Sequence, residues 1–307
     1  MSEFGDLTPR MLNKLFTVKL DSEEGRKEAQ EVGAGFIRTK LREDGFLRKI
    51  VPPVRITEAD CQRSVDHDTL VKIIDIEYDS TAMPITFRGE PTVNYIEGER
   101  YEIRFHSIFS ERFKKTEQEL RAYEYPIKKV IEENIVKDIQ KVEDSRFLYY
   151  ADAAATAVSN VVDRTGAGAG FDACDKANLS RAFIAIDGDQ LRATQILMSD
   201  VLFDSFVAQD NSEFGDQLLG EITKDGYKYN TILGRRLITS NKTDILSTSA
   251  VYVFTDAQYL GNFFTLGDVN FYVDKTANMI TMEAWEDIGA GIGNNRAVAK
   301  LLVNPLA

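Results

Sequence analysis

The chain has 307 residues, of which 43% are apolar and 28% charged, with a net charge of −12. This is ordinary globular composition rather than that of a disordered chain, and the acidity argues against a protein whose main work is gripping nucleic acid, which needs a basic face to displace counterions. No run of about eighteen apolar residues occurs, Met1 to Phe16 lacks a signal-peptide pattern, and Cys61 and Cys174 stand far apart without a C-x-x-C, so a soluble, cytoplasmic protein with no membrane partner, disulfide scaffold or zinc site is expected.

The charge is uneven along the chain. The first sixty residues balance at 11 basic and 11 acidic, whereas Val161 to the end holds 12 basic and 19 acidic. Phe36 to Arg55, "FIRTKLREDGFLRKIVPPVR", carries Arg38, Lys40, Arg42, Arg48, Lys49 and Arg55 against two acidic residues. Such a stretch is either a solvated charged segment or an arm lying on acidic surface of another subunit. Next come two alternating, β-rich runs, Thr69 to Asp79 and Glu99 to Phe109, separated by a segment punctuated by Pro84, Gly89, Pro91 and Gly98. Taken as one hairpin, each leg has about twenty residues and a length of roughly 65 Å at 3.3 Å per residue. A ribbon that long cannot bury its own faces.

From Tyr125 to Asn160, Pro126 suits a first helical turn. Ile127, Val130, Ile131, Ile135, Ile139 and Val142 then recur at spacings of three and four, and no Gly or Pro intervenes before Gly166. The predicted helix of about 33 residues is near 50 Å long, about the diameter expected for a compact chain of this size. Its second half, "FLYYADAAATAVSN", is small and apolar nearly all round, which suits burial against a sheet better than a coiled coil. Beyond a Gly-rich turn, Arg181 to Ile186 is read as a strand and "DQLRATQILMSDVLFDSFVAQ" as a helix, within a compact α/β segment from about Leu179 to about Phe264. "DVNFYVD" and "ANMITMEAWEDIGAGIGN" are read as strands paired through "KTAN", and "RAVAKLLV" as a last strand or short helix.

Chemistry finds little to stand on. His67 and His106 are the only histidines, and Asp66 and Asp68 beside His67 would point to the opposite strand face from it. Gly289, Gly291 and Gly293 are spaced G-x-G-x-G with fourteen residues to follow, which fits neither a dinucleotide fingerprint nor a P-loop. Glycines in a strand pattern mark bulges or close approach instead. No catalytic, cofactor or metal site is expected.

The order of arm, long ribbon, very long helix, compact α/β segment and returning strands resembles the major capsid protein of tailed bacteriophages, the Hong Kong 97 fold. The local matches are "GEITKDGYKYNTILGRRLITSN" and "VNFYVDKTANMITMEAWEDIGAGIGNNRAVAKLLV". The resemblance implies an α+β fold with an N-terminal arm (1–65) and an extended loop (66–112). It further implies a peripheral domain (113–165 and 265–300) holding a spine helix at 126–159, and an axial domain (166–264). It implies a shell protein, not an enzyme, that self-assembles into pentamers and hexamers of an icosahedral head around double-stranded DNA. Its partners would be copies of itself, with scaffolding, portal and decoration proteins, and its location the virion, after assembly in the host cytoplasm. Because no long charged helical extension is read at the N-terminus, scaffolding is expected from a separate protein or not at all. Subunit contacts are expected at the loop tip (Phe87, Arg88, Tyr95, Ile96, Glu97) and on the basic stretch (Arg38, Lys40, Arg42, Arg48, Lys49). The three late glycines then lie under the spine helix and admit a close backbone. An encapsulin-like compartment shell and a soluble α/β enzyme are the alternative readings.

Overall fold

The computed structural model describes residues 8–66, 68–76, 82, 84–85, 87, 89–90, 93, 98–122, 127–166, 173–207 and 231–304, with the backbone alone at 9, 38–44 and 127. Elements are numbered in chain order through these residues.

The N-terminal segment is helical. Helix α1, Pro9–Lys19, starts on a proline, whose missing N–H costs nothing in a first turn. Helix α2, Glu23–Asp44, is capped by Ser22, whose side chain accepts a hydrogen bond from the Gly25 N–H at 3.1 Å, with Glu23 and Glu24 favourably placed in the first turn. The short α3, Phe46–Ile50, follows. Ala29, Gly33 and Ile37 recur every four residues and turn α2 inward; at Gly33 a methyl group would overlap the ring of Phe271. The expectation of an arm without a long charged helix is thereby corrected. Helix α2 is 22 residues long, exposes Glu23, Glu24, Lys27, Glu28 and Glu31, and packs on this chain's own core.

The expected spine is a single helix, α5, Ile127–Ala157, preceded by the short α4, Glu117–Ala122. It spans about 46 Å. Ile131, Ile135, Val136 and Ile139, then Phe147, Leu148, Ala151, Ala154 and Ala155, are buried along it, while Val142 of the predicted stripe is exposed.

Two sheets flank this helix. The first is built around the longest strand, β14, Met279–Ile292, about 46 Å of extended chain. On one side β14 pairs antiparallel with β12, Gly261–Leu266, and β13, Asn270–Thr276. On the other it pairs with β5, His106–Phe109, and β6, Phe113–Thr116. Strand β1, Val54–Ile56, adds in parallel to β12. Alternation puts Ile280, Met282, Ala284, Glu286 and Ile288 into the core facing α5. Trp285 points the other way and stacks on the exposed Phe109, with ring centroids 6.0 Å apart.

The second sheet has the order β7 (Val161–Asp163), β15 (Val298–Leu302), β11 (Ala250–Phe254), β8 (Gln195–Ser199), β10 (Arg235–Ser240), β9 (Thr231–Ile232). One face packs on α5 through Leu197, Ile238, Tyr252, Phe254 and Val298, and the other on α6, Lys176–Asp187, and α7, Asp200–Val207. Here the sequence reading inverts. "RAFIAI" lies inside α6, capped by Asp175 on the Asn178 N–H at 2.6 Å, and "QILMS", expected in a helix, is the buried strand β8. The last strand, β15, joins this sheet rather than the first, and β12 of the first sheet already begins at Gly261.

Candidate assembly surface

The predicted ribbon exists at its base. Strand β3, Leu70–Asp75, pairs antiparallel with β4, Arg100–Arg104, in a register running from Val71 opposite Arg104 to Asp75 opposite Arg100, and β2, Gln62–Arg63, covers the outer side of β3. Pairing is carried one step beyond the strands by the Ile76 N–H to the Glu99 carbonyl at 2.9 Å. The chain leaves the ribbon at Phe105 and enters the first sheet as β5, so the free hairpin ends near residue 104 rather than 112.

A small apolar cluster anchors this base: Ile56, Ile103, Phe105 and Phe264, flanked by Cys61, Leu70, Ile74, Tyr101 and Leu266. Its floor is the glycine end of β14. A Cβ on Gly289 would stand 3.0 Å from Ile103 and 3.1 Å from Phe105; on Gly291, 3.1 Å from Ile103; and on Gly293, 2.6 Å from the Tyr101 hydroxyl. The glycines admit the side chains of β4 rather than a helix backbone. Asn262 donates to the same Tyr101 hydroxyl at 3.0 Å and closes the edge of the cluster. Beyond the base, Phe87 is fully exposed and Ile85 and Val93 are exposed as well. The other proposed tip contacts, Arg88, Tyr95, Ile96 and Glu97, lie outside the described residues.

The basic stretch behaves differently. Arg38, Lys40 and Arg42 are on the last turns of α2, where only the backbone is described. Arg48, expected between subunits, is 7% exposed and sits inside this chain. It makes a bidentate pair with Glu143 of α5 (Nε to Oε2 at 3.0 Å, Nη2 to Oε1 at 2.6 Å) and meets Glu286 of β14 at 2.5 Å. Its guanidinium also lies over the ring of Phe263, 5.6 Å from the centroid. Lys49 is half-buried, and its carbonyl accepts from Arg236 of the second sheet at 3.3 Å. With Phe46, Leu47 and Ile50 in the core, residues 46–50 join the two sheets of this chain.

Next to this triad Asp144 accepts from the Leu47 N–H at 3.0 Å and from the Lys242 ammonium at 2.6 Å. Three carboxylates thus face two cations in the interior. Burial pushes the carboxyls of Glu143 and Asp144 up and raises Glu286 to about 7, against the pull of Arg48 on the two glutamates and of Lys242 on Asp144. Burial opposes the charge of Arg48, but the two carboxylates more than offset it and hold the guanidinium protonated. Nothing in the sequence pairs residues 48, 143, 242 and 286; the available signal was an adjacent acidic pair, Glu143 and Asp144, one turn beyond Ile139 of the apolar stripe.

No protein-family profile and no curated protein matches the sequence. Solved structures do match. A protein of Microbacterium phage Oxtober96 superposes with a TM-score of 0.59 at 11% identity, over 86% of this chain and 91% of that one. The chain has the Hong Kong 97 capsid fold. Other chains sharing this fold come from the capsid of a native GTA particle (TM-score 0.52, 14% identity, 84% of this chain and 89% of that one) and from the capsid of the cyanophage P-SCSP1u (0.53, 13%, 77% and 84%).

Proposed function

We propose that the protein is the major capsid protein of a tailed phage or a phage-like particle. Copies of the chain associate into pentamers and hexamers and close an icosahedral shell around double-stranded DNA. The observation that carries this reading is the loop: a hairpin anchored on a glycine floor in its own chain, with a fully exposed phenylalanine beyond its base. A water-exposed ribbon of this kind is marginal alone and gains stability when a neighbour covers it. Structural neighbours that come from capsids support the same reading.

Under this reading the first sheet with α5 forms the peripheral domain and the second sheet the axial domain, and the chain acts as a structural protein without enzymatic chemistry. Among the described residues no group of His, Cys, Asp and Glu could hold a metal, and no helix is long and apolar enough to cross a membrane. Scaffolding, portal and decoration proteins complete the proposed partner set, with assembly in the host cytoplasm and residence in the virion. Negative-stain microscopy of the purified protein is expected to show capsomer rings or closed shells. A monomer or dimer at every salt and protein concentration overturns the proposal, and shells holding protein cargo without DNA favour a compartment shell.

A further inference from the structure

The buried ionic cluster joins four parts of the molecule that the fold otherwise leaves separate. Arg48 comes from α3, Glu143 and Asp144 from α5, Glu286 from the central strand of the first sheet, and Lys242 from the segment after β10 of the second. The side chains of Arg48, Glu143, Asp144 and Glu286 are each 4% exposed or less, and that of Lys242 23%. We propose that this cluster is a proton-linked latch: with one proton on its surplus carboxylate it holds α3 tightly between the spine helix and both sheets, and loss of that proton loosens the seat of α3.

The charge count sets the direction. Three carboxylates against two cations leave one negative charge without a partner, and an uncompensated charge in the interior is costly. The groups facing Glu286 explain why it takes the proton. Arg48 divides its donors between Glu286 and Glu143, and Glu143 has the bidentate share. Asp144 keeps Lys242 and the Leu47 N–H. From the segment before β13, Asp268 adds further negative charge, itself paired with Arg55 at 3.0 Å. On β5 the residue opposite Glu286 is the apolar Ile108. Glu286 therefore has the fewest donors per oxygen, and its raised affinity for a proton, near neutrality, agrees with the geometry.

A group with a raised affinity in the closed state binds its proton there and releases it on opening. Closure is then favoured at low pH and weakens as pH rises through the closed-state value, levelling off above it. This property belongs to the subunit and holds whether or not the chain builds shells.

The Leu47 amide, bonded to Asp144, is the probe. Its hydrogen-exchange protection factor, corrected for the intrinsic pH dependence of exchange, is expected to fall at least tenfold between about pH 5.5 and pH 8 in the unmodified protein and then level off. In Glu286→Gln the cluster is neutral without a proton, and the fall is expected to vanish, with both histidines still present as internal controls. Glu143→Gln removes the surplus charge on the other side of Arg48 and should flatten the profile too. The partly exposed Glu283→Gln, on the same strand, should keep it. A flat profile in the unmodified protein overturns the latch. So does an unchanged slope in Glu286→Gln, or, if that variant does not fold, in Glu143→Gln.

Discussion

At the residue scale, the informative positions are those where a side chain is missing or a charge is out of place. The spacing of Gly289, Gly291 and Gly293 suffices to exclude a phosphate loop and to call for close approach, but not to say what approaches. That depends on which strand turns its side chains onto β14, a tertiary fact. The structure supplies Tyr101, Ile103 and Phe105. Valine at 291 would press its branched side chain into Ile103 and overpack the cluster, at a cost of about 1–3 kcal/mol. Gly291→Val is therefore expected to free the base of the hairpin while the rest of β14 stays paired. Amide exchange at Phe105, bonded to the Leu70 carbonyl at 3.1 Å, and at Ile76 reads this directly. Unchanged protection at both would remove the glycines from their role as the seat of the loop. Arg48 teaches the converse lesson. Its neighbours in sequence are basic, which makes it look like part of a surface stripe. Only the fold reveals carboxylates from residues 143 and 286 on either side of it.

At the element scale, legibility follows length and period. Helix α5 could be located because its Ile and Val positions repeat over many turns with nothing to break them, and β13–β14 because alternation on both sides of a short connection leaves little else. The segment from 181 to 199 was misassigned in both halves for one physical reason. "RAFIAI" and "QILMS" are short, mostly apolar runs, and such runs are too brief to carry a period that separates strand from helix. The deciding signals for α6 start upstream of the run, in the Asp175 cap and in a helical spacing that begins at Leu179 and continues through Ala182, Phe183 and Ile186. For α5 the central burial point is Ile139, with no exposed surface and close to the ionic cluster. Aspartate there places an additional carboxylate in a region already holding one in excess, so Ile139→Asp is expected to destabilise the subunit by about 4 kcal/mol or more. A urea midpoint close to that of the unmodified protein would show that the helix does not present this face to the core.

At the scale of the whole molecule, the long elements sort into those that cover one another and one that stays uncovered. Helix α5 and strand β14, each about 46 Å long, shield each other's apolar sides, and α2 and the second sheet close the remaining flanks. Beyond the base of the hairpin, Ile85, Phe87 and Val93 are exposed among the described residues. Under the proposed reading, a contact made on another copy by residues beyond the base joins two different surfaces of the subunit. Head-to-tail contacts of that kind close into rings when the rotation allows it. Removing the tip should therefore separate assembly from folding. A variant lacking Thr86 to Glu97, with the legs joined through a short Gly-containing turn, keeps the β3–β4 register, the glycine floor and both cores. It is expected to remain soluble and to melt cooperatively near the temperature of the unmodified subunit, because the described residues of the deleted stretch, Phe87, Gly89, Glu90 and Val93, belong to none of the buried clusters. Sedimentation and electron microscopy of the same variant are expected to show no closed shells, since the apolar contact of Phe87 with a neighbour is gone. Unfolded aggregates would place the deleted segment in the core of the subunit. Normal shells would show that the loop is dispensable for closure, and the assembly role would then have to rest on another surface.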